Sequence, residues 1–157
     1  MEDTPGGYSR RNSLRLSEFD YSGRRIYFVT LVTLERQRVF RNRQLAESVC
    51  QSLISLRRTL GVELHCYCLM PDHLHILVGL GESGRTLGQV CGSFKSLSTR
   101  IYWRWHQGRL WQRQFFDHII RNEVEYWDTV EYIRLHPVRK QLVKHWRQWP
   151  YTGALDT

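Results

Sequence analysis

Residues 62–80 read VELHCYCLMPDHLHILVGL, and this stretch decides the fold. Two apolar, β-prone runs, 62–70 and 73–80, flank Pro71-Asp72, and so short a connection joins them as a tight antiparallel pair. Successive side chains on a strand leave on opposite faces, so His73 and His75 share one face while Leu74 points to the other and the core. Strand rise sets their backbones roughly 6–7 Å apart, near enough to share a metal ion. Alone, such a pair is more often a surface or packing feature than a pair of ligands.

Upstream, IYFVTLVTL from Ile26 is a strand signal, and Leu45, Val49, Leu53, Leu56 and Leu60 recur at helical spacing until Gly61. Downstream, Gly81 to Gly84 form a loop. Thr86 with Gln89 makes a capping box for a second helix, carried by Leu87, Val90, Cys91, Phe94, Leu97, Ile101 and Trp105 and closed at Gly108. LWQRQFFDHII (110–120) predicts a fourth strand, and Asn122 with Glu125 opens a third helix that runs up to Pro137. The order β-α-β-β-α-β-α predicts an α+β, ferredoxin-like (RRM-like) split β-α-β domain, an antiparallel sheet with helices packed on one face. We expect a basic, mobile arm over 1–22, one domain over 23–151 and a short tail over 152–157.

At 157 residues the chain is long enough to bury roughly 68–70% of the surface it exposes unfolded, so it needs no disulfide or structural metal to fold. No apolar run approaches the ~18 residues of a bilayer span, and the N-terminus lacks a signal-like apolar stretch, which predicts a cytoplasmic protein with no membrane partner. Cys50, Cys66, Cys68 and Cys91 include no C-x-x-C pair and read as buried, reduced thiols. The formal charge is +8, the pI is near 9.7, and only Lys95, Lys140 and Lys144 among 23 basic residues are lysines. Arginine's planar fork suits bidentate phosphate contacts, so nucleic acid is the first partner to consider. Lys95, Arg100 and Arg104 in the polar sector of the second helix, and Arg10, Arg11 and Arg15 in the arm, are candidate phosphate contacts. Trp103, Trp111 and Phe115 or Phe116 are candidate base-stacking rings.

A second constellation lies in Val130-Glu131-Tyr132-Ile133-Arg134-Leu135-His136-Pro137. Tyr132 and His136 stand four apart and share a helix face, and Pro137 disfavours helical geometry at His136, which predicts a frayed end there. A phenol one turn from an imidazole suits metal-assisted attack on a phosphate. A free phenol, with a pKa near 10, is about one part in a thousand ionised at neutral pH, so nearby positive charge would help it. Tyr67, Tyr102 and Tyr126 read as packing residues, His118 as structural, and His65, His106 and His145 belong to no constellation.

The ordered set Arg-Leu-Ser-Glu-Phe-Asp-Tyr-Ser (15–22), Tyr27-Phe28-Val29-Thr30, Met70-Pro71-Asp72-His73-Leu74-His75, Ser93-Phe94-Lys95-Ser96, Trp111-Gln112, Asp117-His118 with Arg121, and Tyr132-Ile133 before Pro137-Val138 resembles the HUH single-strand DNA transposase superfamily, in its REP-associated tyrosine transposase branch. The match runs from about Arg10 to Tyr151. The resemblance implies that His73 and His75 bind a divalent metal (Mg²⁺ or Mn²⁺) and that Tyr132 becomes linked to a 5′-phosphate while a 3′-hydroxyl is freed. Relatives usually carry Gln or Asn where this chain has His136. Imidazole is a competent ligand, so His136 is expected to complete the site and to move its preference toward Mn²⁺, Co²⁺ or Zn²⁺.

The function so implied is an endonuclease and strand-transferase that cuts single-stranded DNA near hairpins through a covalent phosphotyrosine. Monomer and homodimer both stay open. The rival reading is a non-catalytic module, or an inactive relative, that binds single-stranded nucleic acid or DNA hairpins. It accounts for the charge and the aromatics, but not for two imidazoles on one strand with Tyr132 and His136 one turn apart.

Overall fold

Strand β1 (Ile26–Val32) is composed of β-branched, aromatic and leucine side chains, and all seven residues are buried, as in a strand covered on both faces. The structure, a computed structural model, describes residues 25–154. The arm with Arg10, Arg11 and Arg15 lies outside the described residues. β1 is followed by α1 (Arg43–Leu60), the hairpin β2 (Glu63–Met70) and β3 (His73–Gly79), α2 (Leu87–Tyr102), β4 (Phe116–Ile119), α3 (Glu123–Arg139) and β5 (Thr152–Ala154). The strands form one antiparallel sheet in the order β4-β1-β3-β2-β5, so the histidine-bearing strand is central. The expected α+β split β-α-β fold is therefore the observed one.

The helices begin and end where their caps dictate. The Asn42 side chain accepts from Leu45 N at 3.1 Å, and Gly61, at φ 72°, closes α1 in a left-handed conformation that suits glycine. Thr86 and Gln89 form the reciprocal capping box of α2. Asn122 caps α3 through Glu125 N at 2.9 Å.

Helix placement differs from the expectation of a single covered face. α1 and α2 pack on one face, against Val29, Leu31, Leu74 and Ile76. α3 covers the other through Tyr126, Val130 and Ile133, packed on Ile26, Phe28, Cys66, Cys68, Met70 and Leu77. The reason is visible in β1 to β3, which carry apolar side chains on both faces rather than alternating with polar ones.

Four boundaries also move, the first at the end of α2, which stops at Tyr102 with Trp103 as its C-cap rather than running through Trp105 to Gly108. Only Phe116–Ile119 of the expected fourth strand pairs with β1, while the segment before it touches β1's end through a Thr33–Trp111 bridge. α3 continues through Pro137 to Arg139 instead of fraying at His136, and Lys140 N donates to the His136 carbonyl at 3.0 Å. Proline's missing N–H costs one bond in the last turns, and the ring is buried. Residues 152–154, read as tail, add β5 to the free edge of β2. Among the described residues no helix is long and apolar enough to cross a membrane. All four cysteines are free and buried. Burial pushes their thiols up, to about 12 for Cys50, Cys66 and Cys91, so they stay protonated and inert at neutral pH.

Candidate active site between the central strand and helix α3

Register fixes the first two imidazoles. His73 pairs with Val32 and His75 with Thr30, both on the α3 face with Phe28. α3 crosses that face and brings His136 to them. The ring centroids of His73 and His75 lie 4.7 Å apart, those of His75 and His136 4.6 Å, and those of His73 and His136 5.2 Å. One nitrogen from each falls within 4.8 Å of the others. Tyr132, one turn earlier on α3, sits 5.9 Å from His75 and 5.5 Å from His136, ring to ring, with Phe28 edge-on at 5.9 Å. Thus the four residues singled out on two distant stretches are brought into one cluster.

The hydrogen bonds around the rings set their tautomers. Asp72 Oδ1 accepts from His73 Nδ1 at 2.7 Å, which leaves the Nε2 lone pair of His73 directed at the cluster. His75 Nδ1 shares a hydrogen bond with Thr30 Oγ1 at 2.9 Å. Its Nε2 is buried with no hydrogen-bond partner among the described residues, a cost that a bound cation would relieve. His73 Nε2 and His136 Nε2 lie 3.1 Å apart, so in the metal-free state one donates to the other. Arg139, one turn beyond His136, stacks its guanidinium 4.2 Å from the Tyr132 ring centroid and donates to the Tyr132 carbonyl at 2.6 Å. The Tyr132 phenol oxygen is shielded from solvent.

Burial and nearby positive charge disfavour protonation of two of the three imidazoles, His75 and His136. Burial, and then the charges of His73, His136, Arg139 and Lys140, hold His75 well below the ordinary imidazole range. Burial first, with His73 and Arg139 after it, pushes His136 down to about 3. Burial opposes ionisation of Asp72, but the hydrogen bond and charge of His73, with Arg36 at 3.5 Å, hold its carboxyl below the usual range. Three imidazoles with converging nitrogens are a donor set that fits a divalent transition metal.

A pH dependence follows for the metal-free protein. The unfolded chain binds protons at His75 and His136 near pH 6.5, where the folded protein does not. Stability is therefore full above about pH 6.5 and falls as the pH drops toward 3, where His136 becomes protonated in the fold as well. Urea unfolding with a chelator at pH 7.5, 6 and 5 should show midpoints that decline steadily, with a shallower decline for His136→Asn. Equal slopes for the two proteins would refute this origin.

The other candidates separate. Lys95 donates its ammonium to the Gln112 and Arg113 carbonyls at 2.8 and 2.9 Å, and burial, then Arg109, lowers its pKa. Arg100 lines a groove with Arg109 and Arg113, whereas Arg104 lines a different hollow beside Glu47. Trp111 is in the core, donating to Ser98 Oγ at 2.9 Å, while Trp103 is 54% exposed.

Two polar links to α3 are not evident from the sequence. His65 Nδ1 meets the Tyr126 hydroxyl at 2.7 Å and its Nε2 meets Glu63 at 3.0 Å. The register of β2 shifts between Leu64 and Cys66, and this bulge turns His65 toward α3, which strict alternation could not reveal. His118, opposite Phe28 on β4, pairs with Glu125 in the first turn of α3. The Asn122–Glu125 spacing marked a cap, and only the fold places His118 within its reach.

Fold and site together define an α+β protein in which a helix-borne tyrosine adjoins a three-histidine cluster at the sheet centre. The family model described as "Transposase IS200 like" matches residues 23–136, and the chain belongs to that family of transposases. It is 24% identical over 152 residues to a Haemophilus influenzae (strain Rd KW20) protein assigned to the REP-associated tyrosine transposases, covering 85% of this chain and 82% of that protein. It is 27% identical over 101 residues to the REP-associated tyrosine transposase of Escherichia coli K12, covering 64% of this chain and 59% of that protein. Among solved structures, that of a REP-associated tyrosine transposase bound to a REP hairpin superposes with a TM-score of 0.72 at 22% identity, over 97% of this chain and 82% of the other. The resemblance read from the ordered motifs is thereby borne out.

Proposed function

We propose that the chain cleaves and rejoins single-stranded DNA near hairpins, with Tyr132 as nucleophile and His73, His75 and His136 as ligands of a divalent metal. The phenol oxygen attacks the phosphorus and loses its proton. The bond to the 3′-oxygen breaks and that oxygen leaves as a hydroxyl, so the 5′-phosphate is held on Tyr132. The phosphodiester's energy is kept in this linkage, which lets a new 3′-hydroxyl reverse the step. Bound at the imidazoles, the metal would draw charge from the phosphate oxygens and orient the scissile bond. Arg139 holds the phenol ring from the outer side and adds positive charge beside it. One tyrosine cuts once per site, so coupled exchange takes two subunits, as in a homodimer, or successive turnovers.

The observation that supports this reading most is the convergence of three imidazoles, one with a buried nitrogen that has no hydrogen-bond partner among the described residues, beside a tyrosine on the same helix as the third. The shielded phenol oxygen favours the rival, a relative that binds hairpins without cutting. For attack, the side chain has to turn or α3 has to shift. Labelled hairpin-bearing single strands incubated with Mn²⁺ or Mg²⁺ separate the two: a denaturant-resistant protein–DNA adduct supports cleavage, and binding without an adduct across sequences and metals supports the rival.

His136 sets the metal. Three nitrogen donors favour Mn²⁺, Co²⁺ or Zn²⁺ over Mg²⁺. His136→Asn should shift the preference toward Mg²⁺, read by calorimetric metal titration as well as by cleavage. If His136→Ala leaves metal affinity and cleavage unchanged, His136 is not a ligand.

A further inference from the structure

On the face opposite the His–Tyr cluster, two hollows adjoin along α2. The first, of about 710 Å³, lies between the Leu80–Gly88 loop and residues 113–115, and is lined by Arg25, Arg85 and Arg113. The second, of about 540 Å³, lies between α2 and residues 109–113, and is lined by Arg100, Arg109 and again Arg113. Arg113 lines both, and among the described residues neither hollow is lined by an aspartate or glutamate. Arg100, Arg109 and Arg113 form no ion pair among the described residues. Like charges gathered without counter-charge repel one another, and an anionic partner relieves that repulsion.

This flank is also built rather than loose. The two carbonyl bonds of Lys95 pin residues 112–113 to α2 and so fix Arg113 at the junction. Trp103 Nε1 donates to the Gly108 carbonyl at 2.8 Å, which holds the indole in place although it is 54% exposed. A large, fixed, exposed ring among arginines is a platform for an unpaired base. A duplex hides its base faces within its own stack, so a single strand is the occupant this surface suits.

We infer that the α2 flank is a second DNA site, which takes a single-stranded segment with its phosphates on Arg100, Arg109 and Arg113 and a base on Trp103. The strand held there is separate from the phosphate at Tyr132, because α2 and α3 lie on opposite faces of the sheet. The inference rests on the reading of the chain as DNA-acting, but not on covalent chemistry.

Its test therefore uses the full chain as Tyr132→Phe with chelator present, where no cleavage occurs, and the fluorescence anisotropy of a labelled single-stranded 20-mer. Adding Trp103→Ala should weaken binding by about tenfold or more, and Trp103→Phe should restore part of it. Changing Arg100, Arg109 and Arg113 together to Gln should lower the slope of log affinity against log salt by about 2, at about 0.7 per lost phosphate contact. All four side chains are exposed, and matching thermal melts verify the fold. Binding within twofold of the parent at every salt concentration overturns the inference. So does a preference for duplex DNA or RNA that the same substitutions abolish. Failure to find an adduct with intact Tyr132 would sink the cleavage reading and leave this result standing.

Discussion

If Tyr132 is the nucleophile as proposed, Tyr132→Phe should remove the denaturant-resistant protein–DNA adduct and lower strand cleavage by more than about 10⁴-fold, as loss of a nucleophile does elsewhere. The variant is informative because it deletes one oxygen and little else. The phenyl ring keeps its neighbours Phe28, His75 and His136, and Arg139 still stacks on it. Folding and DNA binding should stay within about twofold of the parent, so lost cleavage reports chemistry. The other buried tyrosine of α3, Tyr126, offers no substitute, since its hydroxyl is engaged by His65 at 2.7 Å. An adduct that persists in Tyr132→Phe, mapped to any other side chain, would end the assignment.

His75→Ala should have the second largest effect: divalent-metal affinity falls by more than about 100-fold and metal-dependent cleavage falls with it. His75 is buried, with Nδ1 held by Thr30 and Nε2 without a hydrogen-bond partner among the described residues. Its loss opposes two changes in the metal-free protein. Deleting the ring leaves a void beside Phe28 and Tyr132, while the orphaned nitrogen and its desolvation vanish. Metal-free stability should therefore change by only about 1–2 kcal/mol, far less than the metal-bound protein loses. Cobalt titration followed by visible absorption reads ligation directly, without DNA. Unchanged cobalt binding would show that the three histidines are a packing cluster and no metal site.

Much of this was legible in the chain. The i, i+2 alternation placed His73 and His75 on one face, because a strand's period leaves no other choice. Capping residues at Thr86 and Asn122 marked helix starts, because unsatisfied amides select those side chains. The helical face shared by Tyr132 and His136 followed from the 3.6-residue turn. Pro137 misled: a proline near a helix end costs one hydrogen bond, and burial against the sheet outweighed it. The fourth strand is shorter than its apolar run suggests, because Leu110 and Trp111 bury in the α2-side core from an irregular segment rather than a ladder. The link of His65 to α3 is hidden from strand alternation, because a bulge breaks the alternation there.

The sequence by itself determined local matters: which long stretches favour strand or helix, which side chains share a face, and that the ordered motifs belong with transposases. Periodicity and capping are short-range, so they survive without knowledge of the fold. Tertiary structure alone decided which face α3 covers, and with that whether His136 and Tyr132 meet His73 and His75 at all. Strands apolar on both faces demand a cover on each. Which helix supplies it depends on chain connections and packing summed over the whole sheet, and no local pattern of residues contains that sum.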